Sequence, residues 1–69
     1  MEKYRVEMTN FINEMINLDF TYEEKKMYVI DRMDLIERED DVIFSQKERE
    51  EYLKILKDAY FVRRKNEKE

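Results

Sequence analysis

Tyr4, Met8, Phe11, Ile12, Met15 and Ile16 recur at the i, i+4, i+7, i+8 spacing of an amphipathic helix. On a helical projection they fill an arc of roughly 140°, with polar residues opposite. The spacing predicts a first helix over about residues 2–17. It breaks at Asn17-Leu18-Asp19-Phe20. A second periodic stretch carries Tyr22, Val29, Ile30, Met33 and Ile36 on its main apolar face, and is expected to span about 21–39. The second break is Glu39-Asp40-Asp41-Val42-Ile43-Phe44. Beyond it, Tyr52, Leu53, Ile55, Leu56, Ala59, Tyr60 and Val62 fill an arc of about 180° on a third helix, expected over about 45–64. The tail from Lys65 to Glu69 is expected to fray.

Both breaks end in the same local pattern. Thr21-Tyr22-Glu23-Glu24 and Ser45-Gln46-Lys47-Glu48 each fit the S/T-x-x-E capping box. The hydroxyl accepts from the backbone N–H three residues on, and the Glu reaches back to the amide of the cap. A single match is weak evidence. Two matches, each placed just after a break in periodicity, mark two helix starts. Glu50–Lys54 and Asp34–Arg38 stand at i, i+4 in the favourable order and are expected to pair. Short connections favour antiparallel neighbours. The expected fold is therefore all-α, a three-helix bundle forming a single domain over residues 1–69. The alternative is an open helical unit completed by dimerisation, because a domain of this size buries only about 60% of its unfolded surface.

Composition narrows the choice further. The 69 residues include no Gly, Pro, Cys, His or Trp, and 46% are charged. Without Gly or Pro, primed hairpin turns are disfavoured and nothing interrupts a helix. Nine aromatics and five Met supply large side chains for a thin core. The first ten residues hold Glu2, Lys3, Arg5 and Glu7 and do not read as a signal peptide. No stretch approaches the ~20 apolar residues that span a bilayer. A cytoplasmic location, without membrane association, is the expectation.

The residue types that are missing also close most chemistry. With no His or Cys, and with Ser45 occupied as a cap, nucleophilic catalysis has no agent. Carboxylates are plentiful, but acid–base work requires a cleft that shifts a pKa. The chain is expected not to be an enzyme and to need no cofactor. Glu37, Glu39, Asp40 and Asp41 form an acidic cluster that lacks the central Gly and the ligand spacing of a calcium loop. No metal site is expected, and the cluster reads as a solvated turn. Arg63-Arg64-Lys65, with Lys54 and Lys57 upstream, is the one basic patch. Cations favour a helix C-terminus in any case. The net charge of −4 argues against nucleic-acid binding.

Charge is nevertheless uneven. Residues 1–45 hold 6 basic and 12 acidic side chains, a net of −6, while residues 46–69 hold 8 and 6, a net of +2. Such polarity steers association or lets one copy attract another. Several large apolar residues also lie off the core stripes. Tyr28 and Leu35 sit about 120–140° from the main face of the second helix. Met27 is off that face too, Val6 is off the stripe of the first helix, and Phe61 points away from the third helix's core arc among lysines. In so small a chain, several such residues mark a contact surface. Met27, Tyr28 and Leu35 are the expected partner-binding residues, with Tyr28 as anchor. Lys57 and Phe61 form a second patch. The expected function is docking of a helix face on a protein partner, as a regulator or inhibitor, or self-association as a homodimer. By analogy of class, phage-encoded inhibitors and bacterial antirepressors share this size and composition. Two alternatives remain at this point. One is mimicry of DNA by the acidic half, which would block a nucleic-acid-binding protein; the other is DNA binding by a dimer through the basic end of the third helix.

Overall fold

In the computed structural model the backbone is described for residues 2–67 and the side chains for residues 3–62. The three predicted helices are present as α1 (Glu2–Ile16), α2 (Tyr22–Asp40) and α3 (Gln46–Glu67). Every pair of helices is in contact, so the bundle closes on itself. Helix ends agree with expectation to within a residue, except that α3 runs on past 64. Lys65, Asn66 and Glu67 are helical rather than frayed, while Lys68 and Glu69 lie outside the described residues.

The apolar stripes meet as their spacing requires. Met8, Ile12, Val29, Met33 and Leu56 are fully enclosed. Phe44 is buried although it belongs to the loop between α2 and α3. Its ring stands edge-on to Tyr4 at 5.9 Å and to Tyr52 at 6.0 Å, a geometry that matches ring edge to ring face. The apolar loop thus closes the α2–α3 end of the bundle. Val62, expected within the core arc, is instead exposed. The reason is length. Tyr22, at the start of α2, meets Tyr60 and Phe61, so residues 62–67 run roughly 9 Å beyond the first turn of α2. A radius of gyration of 12.4 Å exceeds the roughly 11 Å expected for this length, as the overhang requires.

Both capping boxes form in full. Thr21 Oγ1 accepts from the Glu24 amide at 3.2 Å, and the Thr21 amide donates to Glu24 Oε1 at 3.1 Å. Ser45 and Glu48 repeat this at 3.1 and 3.0 Å. Removing either hydroxyl is worth about 1 kcal/mol. The Glu48 carboxyl lies below its ordinary pKa because it accepts from the Ser45 backbone and side chain.

The C-terminus of α1 is closed from outside the helix. A helix leaves its last four carbonyls without internal partners. Here Asn17 Nδ2 donates to Asn13 O, the Asn17 amide to Glu14 O and the Leu18 amide to Met15 O. The fourth, Ile16 O, accepts from Lys25 Nζ at 3.1 Å. The last turn of α1 has no basic residue of its own, so the cation favoured there by the helix dipole comes from α2. Lys25 is only 4% exposed, and its ammonium also lies 5.1 Å from the centre of the Tyr60 ring. Two effects compete, the desolvation of the ammonium and the orphaning of Ile16 O. An unsatisfied buried carbonyl costs about 1–3 kcal/mol. Lys25→Met, which keeps the stem and removes the donor, is therefore expected to lower the melting temperature by about 5–15 °C. An unchanged or higher melting temperature would show that ammonium desolvation outweighs the cap.

Three phenols of the bundle sit above the ordinary tyrosine pKa of 10.0. For Tyr4 the main cause is the hydrogen bond it donates to Asp40 Oδ2 at 3.0 Å. For Tyr22 and Tyr52 it is burial. A raised native pKa adds stability that is complete below the unfolded value and is lost as pH rises through the native one. The urea midpoint is expected to hold steady from about pH 7 to 9 and to fall above about pH 10. A midpoint still flat at about pH 11 would remove these phenols from the account.

Candidate functional site

The α2–α3 turn holds the acidic cluster, and the fold has already engaged half of it. Glu37 Oε2 accepts the Phe44 amide at 2.7 Å, while its Oε1 accepts from Arg49 Nη2 at 2.6 Å. Arg49 also donates to Asp34 Oδ1 at 2.8 Å. Those hydrogen bonds, Asp34 foremost, raise the Arg49 pKa further and keep the guanidinium charged. Glu37 thus ties α2, the loop and α3 together through one carboxylate. Asp40 holds the Tyr4 hydroxyl from α1. That leaves Glu39 and Asp41, both exposed. Among the described residues no group of three or more His, Cys, Asp or Glu is arranged to hold a metal ion.

The expected i, i+4 pairs do not form. Asp34 turns across the bundle to Arg49 instead of Arg38, and Glu50 accepts from Gln46 at 3.1 Å instead of Lys54. For Asp34, an interhelical partner that is partly desolvated outcompetes an exposed pair on the same helix, which is worth about 0.3–0.5 kcal/mol. Cutting the Glu37 ties should cost about 1.5–3 kcal/mol, the range for hydrogen bonds to charged groups. Glu37→Ala is therefore expected to lower urea stability by that amount, and Glu39→Ala to change it by less than about 0.5 kcal/mol. Equal effects would show that the cluster acts only through its total charge.

The opposite end of the bundle carries most of the exposed apolar residues, the exceptions being Val6 on α1 and Ile43 in the α2–α3 turn. Tyr28 is 45% exposed and stacks on Phe20 from the α1–α2 turn, ring centres 5.3 Å apart and planes 29° from parallel. Leu18 is exposed in the same turn. Phe61, half exposed, packs on Tyr22 at 5.9 Å and on Tyr60 at 5.3 Å, and the exposed Val62 follows it. Contacts between residues 16–28 and residues 60–61 place all of these at one end.

The five residues expected to bind a partner fare differently. Met27 and Tyr28 are exposed, on adjacent outward positions of α2. Leu35 is half-buried rather than fully exposed. Nearby on the same side of α2, Arg32 lies 5.2 Å from the centre of the Phe11 ring of α1. Lys57 is exposed, and Phe61 belongs to an aromatic cluster with Tyr22 and Tyr60 rather than standing alone among lysines. Leu18 and Phe20 were missed because the first break was read only as a break. The side chains of Arg63, Arg64 and Lys65, on which a DNA-binding end would rest, lie outside the described residues.

Between α2 and α3 runs a shallow groove of about 500 Å³. Tyr22 and Leu53 supply its apolar lining, and Lys26, Lys54 and Lys57 its cations. Glu50 and Asp58 complete it. Among the described residues, these three lysines have neither a hydrogen bond nor an ion pair. No helix is long and apolar enough to cross a membrane among those residues. Comparison with protein-family models, with curated proteins and with solved structures finds no match to this chain.

Proposed function

We propose that the chain is a small docking protein, a regulator or inhibitor without catalysis of its own, that binds a partner protein through the α1–α2 end of its bundle. Its place of action on this reading is the cytoplasm, where a protein lacking cysteine loses nothing to the reducing environment. One observation carries the reading. Leu18, Phe20, Tyr28, Phe61 and Val62 are all exposed at a single end, where a lone bundle gains nothing from apolar surface. Scattered apolar residues are ordinary on any protein; several at one end of so small a protein mark a binding site. The stacked pair of Phe20 and Tyr28 is the natural anchor. Aromatic rings offer much area for little lost rotamer freedom, and they dominate interface energetics. Leu35 and Met27 flank that anchor, while Lys57 and Phe61 border the adjoining groove.

The acidic alternative has less to stand on, since Glu37 and Asp40 are already engaged by Phe44, Arg49 and Tyr4. Phe20→Ala with Tyr28→Ala is expected to keep the helical circular-dichroism signal and to shift the melting temperature by less than about 5 °C, as surface changes do. The same double variant, immobilised beside the wild type, is expected to lose a discrete protein retained from extracts of the source cells. Identical retention by both forms would remove this end as the contact surface. A large loss of stability would make the two rings part of the core.

A further inference from the structure

We infer that the chain also associates with copies of itself, head to tail, with the α2–α3 turn of one copy seated in the α2/α3 groove of the next. The turn presents a knob. Ile43 is 84% exposed, the most exposed of the large apolar residues. It lies between Val42 and Phe44, which fold inward and leave it pointing away from the core. Free carboxylates flank it. Glu39 and Asp41 are exposed and have no ion pair among the described residues. Across residues 34–49 there are six carboxylates and three cations, a net of −3.

The groove is the complement of that knob. Tyr22 and Leu53 form an apolar floor, and three unpaired lysines stand against two carboxylates, a net of +1 in a chain whose total is −4. Opposite potentials on two surfaces fix orientation and speed encounter. The two surfaces cannot meet within one copy. The turn closes one end of the bundle, while the groove runs from Tyr22 towards the other. The contact is therefore heterologous, and such contacts propagate unless the rotation closes a ring. The competing occupant, a nucleic-acid backbone, fits less well because it offers no apolar side chain for Tyr22 and Leu53 to cover. This contact uses neither Phe20 nor Tyr28, so it stands or falls separately from docking at the α1–α2 end.

The test is molecular mass by light scattering across a concentration series. The wild type is expected to grow beyond a dimer, and its association to weaken about tenfold between roughly 0.1 and 1 M salt, as the Debye length shrinks from about 10 to about 3 Å. A groove variant, Lys54→Glu with Lys57→Glu, and a knob variant, Ile43→Asp, are each expected to be monomeric alone. Mixed in equal amounts they are expected to form a 1:1 dimer and stop there, because one intact knob meets one intact groove. All these positions are exposed, and circular dichroism checks that each variant is folded. Should Ile43→Asp prove unfolded, Glu39→Lys replaces it as the knob variant. A strictly monomeric wild type, a dimer that never grows, or a mixture that stays monomeric overturns the inference.

Discussion

A chain without glycine or proline has to reverse direction twice using side chains alone, and most of this structure follows from how it does so. At the second reversal Asp41 takes the left-handed conformation, with φ 55° and ψ 45°. That conformation costs a residue with a Cβ about 1–2 kcal/mol, less for Asp, whose short polar side chain bonds locally. Three interactions more than offset it. Glu37 accepts the Phe44 amide, the Ser45–Glu48 box starts α3, and Phe44 drops into the core between Tyr4 and Tyr52. At the first reversal no residue takes a positive φ. The Thr21 box starts α2, and Lys25 closes the end of α1 that α1 cannot close itself.

This solution consumes polar groups that would otherwise be free for function. Glu37, Asp34, Arg49, Asp40 and Lys25 each have a structural partner. A chain with 46% charged residues offers far fewer unengaged charges than its composition implies. Some of those left over are grouped: Lys26, Lys54 and Lys57 share one groove, while Glu39 and Asp41 share one turn. The packing of α2 against α3 brings the lysines together.

Much of the fold was legible in the sequence because its determinants are local. Periodicity placed Met8, Ile12, Val29, Met33 and Leu56 in the core, and both capping boxes follow from four-residue patterns. What escaped depends on pairs distant in sequence. Lys25 lies on the line of Val29 and Ile36, one turn away, but as a lysine it was not read as interior; only the open end of α1 explains its burial. Glu37 looked like one more acid in a cluster until α3 brought Arg49 beside it. The Phe20–Tyr28 stack needs the path of the first turn, which no periodicity encodes. The exposure of Val62 depends on the relative lengths of α2 and α3, a comparison made only once Tyr22 is seen against Tyr60 and Phe61.

The same comparison of lengths explains where the exposed apolar residues of α3 lie. At the α2–α3 end the connection is tight, and Phe44 seals the core, so Ile43 of the turn is left outward, with Val6 exposed near the start of α1. At the other end α1 stops at Ile16 while α3 continues to Glu67. A third helix cannot cover what extends past the other two, so apolar positions on that overhang have no internal partner. Phe61 is only half covered, by Tyr22 and Tyr60, and Val62 is covered less. Ending α3 at Phe61 would remove Val62 and the cations beyond it without touching Leu56 or Tyr52, the buried residues of its inner face. The overhang is therefore separable from the core in energetic terms. The apolar residues on that overhang lie beside a run of cations in the sequence, Arg63, Arg64 and Lys65.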